Sequence, residues 1–513
     1  MSTVVIGLDG ATHAVLDPLM DVGVMPFLRS FCSAGVRGDL LSTTNPLTPP
    51  AWTTLATGCH PGRHGIFDFV RPEQAAYGIY VKLNDSRDVR CPTLWDQVSA
   101  AGLRVGALNY PLTSPAPRVQ GYVVPGFVSA RHLRRAVHPP GLYDQLAELP
   151  EFHTHHLAWD FDTEQKAVQP LDPGEHEGWI RHHIERERQW FTVLDHLMQA
   201  QPCDLTAVVF DGVDKLQHLA WPLIDLDSFP ESATDEQERL RALCLDYFRR
   251  LDSYLERIFE RAGPEATTLI VSDHGFGPSH DVFHLNVWLR DAGYLRWTDD
   301  GSTAEGADAM FATRHRTQLF DWGHTTAYGL TPSSNGIYLT ARPGTAAYDR
   351  LRDELIEGLS GVPLVEAVMT REEAYPGDQA HLAPDLTLRL RDQGFVSVID
   401  AGAPLRRRPE PRGMHRSEGV VFAAGPGIPA GRCIDACSIA DIFPLVLHSL
   451  GLEIPAGLDG RLPVQIRADA PLTGPAVGPV ARPGNGDGDA DADLTADEEE
   501  AVFAQLRLLG YME

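Results

Sequence analysis

Thr3-Val-Val-Ile-Gly-Leu-Asp-Gly10 begins the chain with a nearly unbroken apolar run that ends on a carboxylate and a glycine. Apolar side chains at consecutive rather than alternate positions predict a strand buried on both faces, as in a parallel sheet. The carboxyl end of such a strand opens onto the crevice where α/β proteins bind ligands, which makes Asp9 a site candidate; Asp before Gly is also a common turn. The design recurs. Residues 105–108 follow a helix-like stretch at 93–101, and residues 205–210 run into Asp211-Gly-Val-Asp-Lys-Leu-Gln-His218. Residues 267–271 end at Ser272-Asp-His-Gly275, and residues 420–424 resume a strand after Gly413-Met-His-Arg-Ser-Glu-Gly419.

Helical patterns separate these runs. Residues 179–198 form one, and Leu240, Leu243, Tyr247, Leu251, Leu255 and Ile258 form the apolar stripe of another, stopped by Gly263-Pro264. Residues 438–450 predict a last core helix. Alternation of this kind implies an α/β fold with a largely parallel central sheet flanked by helices, plus insertions. A chain of 513 residues exceeds one ordinary core. We read 1–128, 201–280 and 413–466 as a discontinuous catalytic core, 129–200 as an insertion with a helix, and 281–412 as a second insertion or cap. Residues 467–494, dominated by Gly, Pro, Ala and Asp, read as a flexible linker. A C-terminal helix is expected over 495–513, with Thr495 and Glu498 as a capping box and Val502, Leu506 and Leu509 on one side.

The formal charge of −27 argues against a nucleic-acid-binding surface or attachment to an anionic membrane. It leaves anionic substrates open, because a metal site reverses the local field. Seven scattered cysteines without CxxC spacing read as reduced thiols. No signal sequence and no run of membrane-spanning length stand out, so a cytoplasmic protein is expected.

A second stretch carries the chemistry: Thr48-Pro-Pro-Ala-Trp-Thr-Thr-Leu-Ala-Thr-Gly-Cys-His-Pro-Gly-Arg-His-Gly-Ile66. Pro49 and Pro50 fix φ and remove two donors, which predicts Thr48 in a stiff turn with a short helix from Ala51 to Thr57 behind it. A hydroxyl in that position, before a helix N-terminus, is one way to aim a nucleophile at a phosphate; the plainer alternative is a polar, capped loop. Metal-capable residues end four separate segments: Asp9; Asp214 with His218; Asp273 with His274; and His415. Asp214 and His218 are spaced to share one helix face. Mixed carboxylate and imidazole ligands suit zinc or manganese better than magnesium or calcium. His153, His155 and His156 could also bind metal but sit in a polar, weakly periodic stretch that reads as a solvated insertion.

The order Asp9, Thr48, Asp214-x-x-x-His218, Asp273-His274, His415 resembles the alkaline phosphatase superfamily. It is most similar to the type I phosphodiesterase/nucleotide pyrophosphatase branch and the related bacterial phosphohydrolase/phosphomutase proteins. Thr48-x-Pro followed by Thr54-Leu-Ala-Thr-Gly-x-x-Pro-x-x-His-Gly-Ile66 is similar to the nucleophile motif of that branch. The resemblance implies an alkaline-phosphatase-like core and two divalent metal ions, zinc first and manganese second. It implies that Asp9, Thr48, Asp273 and His274 hold one ion, and Asp214, His218 and His415 the other. Asp211 fits the pattern less well as a ligand. The implied reaction is hydrolysis of a small-molecule phosphate ester or nucleotide through a phosphothreonine at Thr48.

Thr43, Thr44, Thr53 and Thr54 are competing hydroxyls, read as capping and packing groups. The x-Pro-x-Arg pattern of sulfatases is absent after Thr48, and so are the spans of membrane phosphotransferases. A phosphomonoesterase, a phosphomutase and a non-catalytic metal-binding scaffold are the alternatives. Asn84, Arg87 and Asn109 are candidate substrate contacts. Oligomeric state is left open.

Overall fold

The computed structural model describes residues 2–75, 78–158, 173–226, 229–230, 232–298, 320–399 and 401–466, together with 494, 495, 499 and 502. At its centre lies a nine-stranded sheet. Its strands run in the order Arg432–Cys433, Val36–Leu41, Glu418–Ala424, Thr267–Val271, Thr3–Leu8, Leu205–Phe210, Val105–Leu108, Gly121–Val124, with Cys437–Ser438 also paired to Val36–Leu41. The strands from Thr267–Val271 to Gly121–Val124 are mutually parallel. Glu418–Ala424, which the sequence presents as one more core strand, runs antiparallel to both its neighbours.

Thr3–Leu8 is buried throughout, and its side chains divide between two cores as the strand period requires. Val4, Ile6 and Leu8 join the cluster under the two long helices Pro173–Ala200 and Asp235–Ala262. Val5 joins the opposite cluster under Thr48–Thr57, Leu94–Ala100 and Ile442–Ser449. Phe191 and Tyr254 stack between the long helices at 4.4 Å. Asp252 caps a third helix, Pro26–Ala34, by accepting from the Phe27 and Leu28 amides at 2.9 and 2.8 Å.

The segment expected as the second insertion leaves and re-enters the core along a ribbon that the sequence did not suggest. Gly275–Phe283 pairs antiparallel with Leu405–Arg416, bringing His415 opposite Phe276. Glycines and prolines in both strands disguise the ribbon as turns. Beyond it lies a separate antiparallel sheet of Ala327–Gly329, Gly336–Leu339, Leu386–Leu390 and Val365–Thr370. The linker expected at 467–494 lies outside the described residues except for Leu494. Of the expected C-terminal helix, only Thr495, Glu499 and Val502 fall within them; Val502 is buried and belongs to the same apolar cluster as Phe69, Val70 and Leu83.

Candidate metal and nucleophile site

The crevice at the carboxyl ends of the parallel strands collects side chains from five elements. Asp9 follows Thr3–Leu8, and its amide donates to the Phe210 carbonyl at 3.0 Å, continuing the strand pairing. Gly10 then turns at φ +67°, and a Cβ there would lie 2.7 Å from the Phe276 ring, so glycine alone lets the chain pass behind the site. Asp214 and His218 lie on one face of Gly212–Ile224, the helix that follows Leu205–Phe210. Asp273 and His274 follow Thr267–Val271. His415 arrives on the ribbon, where Gly413 passes so close to that helix that a Cβ would lie 2.2 Å from the Gln217 carbonyl oxygen.

Thr48 differs from its sequence reading in one respect. The helix spans Thr48–Thr57, so Thr48 is its first residue, and the prolines lie inside the first turn. That turn needs no intrahelical donors, so the missing N–H groups of Pro49 and Pro50 cost it nothing. The Ala51 amide is the first to close a helical bond, to Leu47 at 3.0 Å.

These side chains are buried together. Thr48 Oγ1 lies 3.4 Å from His274 Nε2. The same nitrogen is 3.3 Å from Asp273 Oδ2, 3.5 Å from Asp9 Oδ1 and 3.9 Å from Asp214 Oδ1. Asp214 Oδ1 is in turn 3.2 Å from His415 Nε2 and 3.4 Å from His218 Nε2, and the two imidazole nitrogens are 3.1 Å apart. Two groups of ligand atoms are close enough to share an ion: Asp9 with Asp273 and His274, and Asp214 with His274 and His415. His274 thus lies between them, and His218 adjoins the second. His153, His155 and His156, on and before the short helix Thr154–Leu157, belong to neither group.

The donor chemistry fits cations. His415 Nδ1 faces the Pro46 carbonyl at 2.7 Å and His274 Nδ1 the Gly275 carbonyl at 3.1 Å, so each ring donates through Nδ1 and turns the lone pair of Nε2 inward. Burial first, and the neighbouring His415 ring second, hold His274 far below the usual imidazole range. Burial likewise lowers His415, against the pull of Asp214. Both rings are therefore neutral, the form that a metal ligand requires. Asp9 is raised well above an ordinary carboxylate by burial and by the charges of Asp273 and Asp214. Asp273 is raised by burial and by Asp214. Among the described residues, no N–H or hydroxyl donates to Asp9 Oδ1 or Asp273 Oδ2. Two buried carboxylates with orphaned oxygens and no cationic side chain beside them call for a positive charge from outside the chain.

Asp211 has that charge already. Arg186 reaches both its oxygens, at 3.3 and 3.1 Å, and Lys215 Nζ lies 3.1 Å away, all three being buried. Burial would raise Asp211, but these two cations outweigh it and hold the carboxyl below its usual range. Asn109 is committed to the same network: its amide donates to Val209 O at 2.8 Å and to Asp211 at 3.3 Å. Asn84 accepts from Arg71 at 2.8 Å and donates to the Asp68 carbonyl at 2.7 Å, and Arg87 pairs with Asp85; both line a cavity of about 610 Å³ that Pro49 also lines. Of the competing threonines, Thr54 faces His64 at 3.0 Å, Thr43 and Thr44 donate to the backbone at Asn45 and Ala374, and Thr53 is buried in the helix. Arg186, Lys215 and Trp52, whose indole donates to Asp9 Oδ2 at 3.3 Å, were not singled out from the sequence. Nothing in their spacing marks them, because they support the site from neighbouring turns and helices.

Among the described residues no helix is long and apolar enough to cross a membrane. Residues 3–418 match the family model described as type I phosphodiesterase/nucleotide pyrophosphatase. No curated protein matches the chain. Among solved structures, phosphonoacetate hydrolase from Sinorhizobium meliloti 1021 in complex with phosphonoacetate is similar at 18% identity and a TM-score of 0.51, covering 88% of this chain and 96% of that one. Murine ectonucleotide pyrophosphatase/phosphodiesterase 5, solved as an inactive form with AMP, is similar at 14% identity and a TM-score of 0.52, covering 89% and 97%. Its human counterpart aligns at 14% identity and 0.51, covering 91% and 99%. At these identities the likeness speaks for a shared fold alone. The chain belongs to the type I phosphodiesterase/nucleotide pyrophosphatase family and is a hydrolase of phosphoester bonds.

Proposed function

We propose that the protein hydrolyses a small phosphodiester or nucleotide with Thr48 as nucleophile beside two divalent cations. The observation that carries this reading is the convergence of six buried side chains from four other segments on the crevice that holds Thr48, with carboxylate oxygens that no donor among the described residues satisfies. Asp9, Asp273, His274 and Thr48 would hold one cation, and Asp214, His218 and His415 the other; His274, close to both oxygen groups, would link them. Bound cations would neutralise the carboxylates, acidify the Thr48 hydroxyl and draw charge from the phosphoryl oxygens. Zinc suits the imidazole-rich set best and manganese second.

Thr48 Oγ attacks phosphorus, the bond to the leaving oxygen breaks, and the departing alcohol or phosphate takes a proton. Water then attacks the phosphothreonine, Thr48 regains its proton, and a phosphate monoester departs. Thr48 suits the first step because burial and its place at the start of the helix keep its hydroxyl aimed at the crevice. His274 and His415 stay oriented through their Nδ1 bonds to backbone carbonyls. Seven free thiols support a reducing, cytoplasmic compartment.

The test is paired hydrolysis of bis(p-nitrophenyl) phosphate and p-nitrophenyl phosphate with metal analysis of the same sample. Two tightly bound ions and a preference for the diester are expected. Preference for the monoester would replace the diesterase with a phosphomonoesterase, and metal binding without turnover of either ester would leave a mutase or a scaffold.

A further inference from the structure

The second insertion reaches the cation-binding side chains through one carboxamide. Asn335 leads into the strand Gly336–Leu339 of the antiparallel sheet and is 3% exposed. Its φ is +48°, a conformation that Asn tolerates better than most residues with a side chain. Its Oδ1 accepts from the Val396 amide at 2.9 Å, and its Nδ2 donates to the Gly394 carbonyl at 3.1 Å. The carboxamide thus brackets Phe395, whose ring meets the His415 ring edge to face at 4.7 Å between centroids. The same Nδ2 makes a longer bond, 3.4 Å, to Asn45 Oδ1. Asn45 is itself held, donating to the Ser333 carbonyl at 2.6 Å, and the next residue, Pro46, supplies the carbonyl that faces His415 Nδ1. These three bonds use the one oxygen and both N–H groups that an Asn side chain offers.

His415 therefore has two supports, the Pro46 carbonyl at its Nδ1 and the Phe395 ring at its side, and Asn335 holds the segments that carry both. We infer that Asn335 is a positioning residue for His415, through which the antiparallel sheet of the second insertion sets the geometry of one cation site without contributing a ligand to it. The inference rests on the reading of Asp214, His218 and His415 as that site. Removing the carboxamide frees Phe395 and Asn45 together, so the His415 ring loses both constraints on its tilt. Groups that orient a metal-binding imidazole carry about 10–100-fold of metal affinity.

The test uses the full chain, with zinc alone and then cobalt as probes, and two variants. Asn335→Gly accepts the positive φ without strain and deletes all three bonds. Ser334→Ala breaks bonds in the same loop, to Thr331 and to the Gly336 amide, and none to Asn45 or to the segment at Phe395. Chelator competition shows one of the two zinc ions held about tenfold more weakly in Asn335→Gly, and both within about twofold of the parent in Ser334→Ala. The visible bands of the cobalt-loaded protein, which report coordination geometry, shift in the first variant and not in the second. Zinc affinity within about twofold of the parent or unshifted cobalt bands in Asn335→Gly, or equal losses in both variants, overturn the inference. If the parent binds fewer than two ions, the two-cation reading fails by itself, and crystal structures of the metal-free proteins decide the positioning. His415 Nδ1 then leaves hydrogen-bond distance of the Pro46 carbonyl in Asn335→Gly, and a ring that stays in place overturns the inference.

Discussion

Asp211 precedes and Asp214 lies in the first turn of one helix; the first is paired with two full cations and the second with two imidazoles, so their replacement should have different consequences. Asp211→Ala leaves the Arg186 guanidinium and the Lys215 ammonium buried, each about 1% exposed, without the carboxylate that binds them. Stripping one partner from a buried ion pair costs roughly 3–5 kcal/mol, a large part of a total stability of about 5–15 kcal/mol. At ~2.1 cal/mol/K of unfolding entropy per residue, a chain of this length melts about 1 °C lower per kcal/mol, so a fall of about 3–5 °C is expected. Because its cations depress the folded Asp211 below the unfolded value, its contribution is complete above the ordinary carboxylate range and disappears as pH falls through the depressed one. The deficit of the variant therefore narrows in acid.

Asp214→Ala, by contrast, removes one of several crowded carboxylates that raise Asp9 and Asp273. Without metal, the lost contacts to His218 and His415 are offset by relief of the repulsion on Asp9 and Asp273, so its melting point falls by about 1–2 °C, less than that of Asp211→Ala, while bound metal falls by one equivalent. Thermal unfolding in EDTA and metal analysis after dialysis read both effects. Loss of metal from Asp211→Ala at an unchanged melting point, or full metal content in Asp214→Ala, would refute the assignment of the two carboxylates.

Three further outcomes follow from the geometry. Chelation lowers the melting point of the parent by several degrees, since saturating a site at a thousandfold excess over Kd contributes about 4 kcal/mol, and a chelator-insensitive melting curve would contradict tight metal binding. Gly413→Ala places a methyl 2.2 Å from the Gln217 carbonyl and pushes His415 off His218; it should cost about 1–3 kcal/mol and weaken metal retention, seen by calorimetry and dialysis. Asp68, fully buried against the Thr331 and Ser333 hydroxyls, is pushed up to about 7 by burial. As a raised acid it contributes fully below about pH 4 and loses that contribution up to about pH 7, worth on the order of 4 kcal/mol at most. Asp68→Asn therefore flattens the fall in melting point between pH 5 and pH 8, and an unaltered slope would sink this account of Asp68.

What the sequence disclosed depended on how local the signal was. Thr3–Leu8, Val105–Leu108, Leu205–Phe210 and Thr267–Val271 emerge with the boundaries read from their apolar runs, because central parallel strands are buried on both faces and leave no polar alternation to blur them. Gly121–Val124 and Val36–Leu41 went unread; the first is short, and the second lies near the sheet edge with half-exposed Arg37 and exposed Asp39. The ribbon was hidden because its glycines serve close packing rather than turning, a purpose visible only once Gln217 is seen against Gly413. The residues brought together at Thr48 were legible through their order along the chain. Arg186 was not, since a cation on a long helix has no sequence mark that distinguishes a buried partner of Asp211 from a solvated face. Val502 was placed on an apolar helix side, but only the folded chain brings it to the cavity beside Pro49.

The central claim is that Thr48 becomes phosphorylated during turnover. Acid quenching of the metal-loaded protein during hydrolysis of bis(p-nitrophenyl) phosphate, followed by peptide mass mapping, addresses it directly. The account predicts a p-nitrophenyl phosphoryl adduct on Thr48, formed with a burst of p-nitrophenolate and absent from Thr48→Ala, which retains its metals and does not turn over. An adduct on another threonine, or turnover in Thr48→Ala at the parent rate, would contradict it.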